Sequence, residues 1–151
     1  MPMIGSCTLR ERQQVVKGIL FLLWVCGFSM FSLSAKASPC NGIDRQISAE
    51  HKAALSLAIS KQLNSDGVEV LRYFGADGWS IIYVDTKNSD SPFLFFKGSP
   101  GGSHYTTVWS GAAGISEEQA IRRWATSNAP GIPRRLAACF AWYVTPPHRD
   151  R

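Results

Sequence analysis

The sequence predicts an α+β fold: an antiparallel sheet of about five strands packed with two helices, in the order α-β-β-β-β-α-β, held by one disulfide. Three observations predict it. Apolar residues recur at helical spacing in two separated segments. Between those segments, short β-branched and aromatic runs alternate with turn sequences rich in Gly, Asp and Pro. The turns are too short for the crossovers that parallel strands require.

Taken in order, Ser38 to Ile47 reads as a lead-in held by Cys40. Ser48 suits a helix N-cap, since its hydroxyl can accept from an orphan amide of the first turn. Ala54, Leu55, Ala58, Ile59 and Leu63 then form one helical stripe, with Lys52, Ser56, Ser60 and Lys61 outside it. Asn64-Ser65-Asp66-Gly67 stops that helix with residues suited to positive φ. Val68 to Phe74, Trp79 to Asp85, Phe93 to Lys97 and His104 to Ser110 read as four strands of a meander. In the second, Trp79, Ile81 and Tyr83 alternate with Ser80, Ile82 and Val84, so both faces are apolar. Either the helices split between the faces, or they share one and leave the other open to bind something. Ser116 and Gln119 have capping-box spacing for the second helix, and Glu117 and Glu118 lie where the helix dipole favours anions. Ala120, Ile121, Trp124 and Ala125 form its apolar face. Ala137 to Thr145, short, apolar and aromatic, reads as a fifth strand carrying Cys139, with room for a helical turn at Pro133 to Ala138 before it.

The first thirty-seven residues speak to compartment. Arg10, Arg12 and Lys17 precede an uncharged, mostly apolar run from Gly18 to Ala35, and Ala35-Lys36-Ala37 follows with the small-x-small pattern of a signal-peptidase site. The expected organisation is a signal peptide over 1–37 and a single exported domain over 38–151, periplasmic or secreted. An uncleaved anchor would export the same domain, because the basic residues precede the apolar run. Cys26 follows Trp24 and Val25, large residues where a lipid-attachment site takes small ones.

Export changes the charge argument. The chain has 16 Lys and Arg against 11 Asp and Glu, a net of +5. Met1 to Ala37 hold four of those bases and one of the acids, so residues 38–151 carry 12 against 10, a net of +2. Most of the apparent basicity is targeting signal, which argues against a nucleic-acid partner. The remaining local excess is Arg122, Arg123, Arg134 and Arg135. Of the four cysteines, Cys40 and Cys139 lie after Ala37, and two cysteines in an oxidising compartment read as one disulfide. Closing so long a loop stabilises a fold by about 4 to 5 kcal/mol in the chain-entropy account.

Catalytic constellations are weak. Gly98-Ser99-Pro100-Gly101-Gly102-Ser103 has the composition of a phosphate-cradling loop, yet it feeds a strand and carries no Lys-Ser or Lys-Thr pair, so it reads as a hairpin tip. His104 is the only histidine within the expected sheet. With Ser99, Ser103 or Ser110 and Asp85 or Asp90 it could form a triad, but no nucleophile elbow surrounds any serine. His51, His104 and His148 lack zinc-site spacing, so no metal and no cofactor is expected. Asp77, Asp90, Glu117 and Glu118 are explained by turns and helix starts. Trp79, Trp109, Trp124 and Trp142 read as core, with an exposed subset as the alternative.

The expected function is therefore non-catalytic binding of a protein partner in the cell envelope, as an inhibitor or immunity-type protein. The general plan resembles that of small periplasmic inhibitor proteins on architecture alone, without a shared motif. The expected binding surface is Gly101, Ser103, His104, Tyr105 and Trp109, because a glycine-rich tip over a rigid sheet with aromatics below it suits recognition. The alternatives are a small secreted hydrolase using His104 and a structural or assembly subunit that donates a sheet edge. The membrane is involved only through the N-terminal segment.

Overall fold

Residues 37–87 and 90–148 are described by the computed structural model. The signal peptide expected over 1–37 lies outside the described residues, apart from Ala37. The elements are α1 (Ala49–Leu63), β1 (Glu69–Ala76), β2 (Trp79–Asp85), β3 (Phe93–Lys97), β4 (Thr107–Trp109), α2 (Glu118–Asn128) and α3 (Arg134–Val144). The four strands pair antiparallel in the order β1-β2-β3-β4.

Local chemistry explains most boundaries. Ser48 accepts from the His51 amide at 3.1 Å, opening α1. Asn64 ends it in the left-handed region at φ 47°. The hairpin between β1 and β2 turns through Asp77 and Gly78, both at positive φ, and Gly tolerates this because it has no Cβ.

The faces are set by a bulge. Val70 pairs with Val84 and Arg72 with Tyr83, leaving Leu71 as an extra residue. The extra residue shifts the alternation, so that Val70 and Tyr73 face one side and Phe74 the other. On the first side α1 packs Leu55 and Ile59 against Val70, Ile82, Val84, Leu94 and Phe96. On the second, α2 and α3 bring Ile121, Ala125, Leu136 and Phe140 against Phe74, Ile81, Phe93 and Phe95. The helices thus split between the two faces.

Three expectations need correction in the second half. Ala137 to Thr145 is not a fifth strand: Ala137 to Val144 belong to α3, which Thr145 caps, so the sheet has four strands and the described residues hold three helices. A short apolar run does not distinguish a buried strand from a buried helix. Here Leu136, Phe140 and Tyr143 recur at helical spacing and are all buried, and the alanines between them let the helix approach the sheet. Nor does Ser116 form a capping box with Gln119. Glu117 occupies the N-cap position without a side-chain cap, and its carboxylate instead accepts from the Gly114 amide at 2.6 Å. The fourth strand is also shorter than His104 to Ser110, because only Thr107–Trp109 pair with β3.

Cys40 and Cys139 are bonded, with their Cα atoms 4.5 Å apart. The bridge fastens the lead-in to the buried side of α3. The lead-in continues to Asp44, whose backbone exchanges two hydrogen bonds with Gly75 at 2.9 and 2.7 Å. Among the described residues no helix is long and apolar enough to cross a membrane.

Candidate functional site

The glycine-rich connection between β3 and β4 is folded on itself. The amides of Gly102 and Ser103 both donate to the Ser99 carbonyl at 3.0 Å. The Ser103 hydroxyl lies 3.1 Å from the Lys97 carbonyl and 2.8 Å from that of Ser99, which commits its proton to the main chain. From α1, the Gln62 amide donates to the Pro100 and Ser103 carbonyls at 2.9 and 3.0 Å. The Gly98 amide donates to the Gly78 carbonyl at 2.7 Å, linking this tip to the β1–β2 turn. The tip is therefore a clamped surface loop, with two of its amides already used internally.

The residues singled out in the sequence divide between the faces. Gly101 and His104 are exposed, and Ser103 and Tyr105 are half-buried. Tyr105 meets Phe96 edge to face at 6.4 Å on the α1 side, and the His104 ring lies 6.3 Å from that of Tyr105. Trp109 pairs across the sheet with Phe93, and its ring packs against Phe93 at 5.7 Å and Phe140 at 5.5 Å on the α2/α3 side. Gly101, Ser103, His104 and Tyr105 thus form one stretch, from which the sheet separates Trp109. No hydrogen bond among the described residues joins His104 to a serine or a carboxylate. Trp79 is buried, and Trp124 and Trp142 pack against the same core as Trp109.

Beside the tip lies an open cleft of about 430 Å³ that the sequence did not disclose. Gly98, Ser99 and Pro100 form one wall and Gly75 to Ser80 another; Asp44, His51 and Tyr73 complete it. Three local facts shape it. Gly75 makes room for the Tyr73 phenol, since a Cβ there would lie 2.6 Å from the phenol oxygen. Burial, and next the charge of Asp44, push the Tyr73 phenol above its ordinary pKa, so the hydroxyl is held protonated as a donor. Ser80, only 3 % exposed, carries a buried hydroxyl with no hydrogen-bond partner among the described residues. A buried hydroxyl left unpaired is costly, and a ligand atom reaching it would recover that cost.

These residues come from the lead-in, α1, β1, β2 and the β3–β4 connection. Their one local signal is Ser80, a small polar residue between Trp79 and Ile81 in β2. A second concavity, along the outer edge of β1 and lined by Ile43 to Gln46 and Arg72 to Phe74, has no unpartnered buried side-chain atom among its lining residues. Among the described residues no group of three or more His, Cys, Asp or Glu is arranged to hold a metal ion. Comparison of the chain with family models, with curated proteins and with solved structures finds no match.

Proposed function

We propose that this chain is an exported cell-envelope protein, periplasmic or secreted, that binds a protein partner without catalysis, as an inhibitor or immunity-type protein. The binding surface is the end of the sheet where the Gly101, Ser103, His104 and Tyr105 stretch adjoins the cleft of Asp44, His51, Tyr73 and Ser80. One observation carries the reading: the Gln62 clamp holds an exposed, glycine-rich tip in a single shape beside an open cleft. A loop ordered before binding loses less conformational freedom when a partner docks. Export is supported by the basic, apolar and small-residue order of the first thirty-seven residues together with the Cys40–Cys139 bridge. The hydrolase alternative receives less support, because the Ser103 proton is committed to main-chain carbonyls and the Ser80 hydroxyl has no base on it.

The test begins by identifying what co-purifies with the protein from envelope extract and measuring its affinity for the purified partner. Replacing exposed His104 with Ala should weaken binding by about 1 to 2 kcal/mol while the melting temperature barely moves, whereas Tyr105→Ala should weaken binding and also lower the melting temperature because its ring packs on Phe96. Lower stability with unchanged affinity per folded molecule would assign these residues to the fold and place the site elsewhere.

A further inference from the structure

We infer that Arg122, Arg123 and Arg134 form a binding site for a phosphoryl group, separate from the cleft beside the tip. On α2, Ile121 and Ala125 point into the core. Gln119, Arg122, Arg123 and Thr126 then share the outer stripe, at the spacing of neighbours on one helix face. The first residue of α3, Arg134, adds a third guanidinium from a different element. Gln119, the three arginines and Thr126 line one open hollow of about 310 Å³.

Among the described residues no ion pair compensates the charges in this hollow. Among the described residues the ion pairs are Lys52–Glu69 and Arg135–Asp77, so Arg135 is matched while its neighbour Arg134 is not. Glu118 lies one turn before Arg122 yet makes no ion pair with it, and the Glu117 carboxylate is turned to the Gly114 amide. General basicity does not explain the cluster, because residues 38–151 carry a net charge of only +2, from 12 bases and 10 acids. Three like charges around one concavity repel unless an anion joins them. Guanidinium groups match oxyanions through paired, charge-assisted hydrogen bonds, and three of them suit a multiply charged phosphoryl group better than a single carboxylate. The Thr126 hydroxyl donates back to the Arg122 and Arg123 carbonyls, so recognition falls to the arginines and the Gln119 amide.

The phosphoryl group could belong to a soluble compound or to a phospholipid headgroup, and the experiment separates the two. Binding of inorganic pyrophosphate is measured by calorimetry, and binding to vesicles of phosphatidylglycerol, with phosphatidylcholine as the neutral control, by sedimentation. Two triple variants are compared: R122Q/R123Q/R134Q, and R45Q/K61Q/K97Q, which removes the same charge elsewhere. All six positions are exposed, and thermal melts check that both variants fold, with R134Q alone as the milder form. The expected result is a loss of affinity of about tenfold or more in the first variant and little change in the second. Pyrophosphate binding without vesicle binding assigns a soluble ligand, and vesicle binding with the same arginine dependence assigns the headgroup. Equal losses in both variants, or no binding by the parent protein to either probe, would overturn the site.

Discussion

On the α2/α3 side of the sheet the interior is aromatic and fastened. Phe140 meets Phe93, Phe95 and Trp109 edge to face at 5.3, 4.9 and 5.5 Å, and the Cys40–Cys139 bridge lies in the same cluster. On the α1 side the interior is mostly aliphatic and a single helix covers it. Cover there runs out toward β4, where Val108 pairs with Leu94 yet is 38 % exposed. Tyr73 and Tyr105 are half-buried on that side. The unpartnered Ser80 hydroxyl and Gln62 carbonyl also fall there. Two helices and a covalent tie leave little free surface on one face, whereas one helix leaves room for a cleft and polar groups with unused hydrogen bonds. The aromatic, bridged interior and the open cleft thereby fall on opposite sides of one sheet.

The sharpest way to break this comparison is to truncate one fully buried side chain in each interior. Phe140→Ala should cost about 5 kcal/mol, the upper end for a buried aromatic, because three ring contacts are lost with the volume. Ile59→Ala on the α1 side should cost about 3 kcal/mol. Urea unfolding of the two variants decides it; an Ile59 variant as destabilised as the Phe140 variant would mean that the faces share the load.

A smaller effect isolates the clamp. Gln62→Ala removes two hydrogen bonds to the tip and should destabilise by about 1 to 2 kcal/mol. Hydrogen exchange should quicken at Gly102 and Ser103, with Phe140 and its neighbours unchanged. Unaltered exchange at the tip would show that the loop's own bonds suffice.

The smallest effect is confined to alkaline pH. Burial and the Asp44 charge hold the Tyr73 phenol above its ordinary value, so the folded state keeps that proton to higher pH than the unfolded chain. Its contribution is complete below a pH of about 10 and is lost as the pH rises through the folded value. Tyr73→Phe should therefore flatten the fall in stability above a pH of about 10. A curve of unchanged slope would place the phenol in a more open setting.

What was legible in the sequence is local. The Ser48 cap, the Asn64 stop, the β2 and β3 boundaries and the inward Leu55 and Ile59 of α1 all follow from neighbours within one turn or one strand, where propensity and period act directly, although Ala54 of the same stripe is exposed. The disulfide was legible because only two cysteines follow the signal-like segment. Other features depended on partners distant in the chain. Residues 137–144 are helical because Leu136, Phe140 and Tyr143 pack on the apolar face of the sheet, a choice that period alone leaves open in so short a run. The extra residue at Leu71, visible only once β1 pairs with β2, decides which side each strand residue faces. Trp109 lies in β4 and Tyr105 before it, outside the strand's alternation, so the two fall on opposite sides of the sheet although a continuous strand would put residues four apart on one face. The cleft joins five segments, and the arginine hollow joins two helices. Secondary structure is a short-range property, so the sequence by itself determined most of the elements. Which side chains meet is settled by register, bulge and helix docking, so the tertiary structure alone decided the sites.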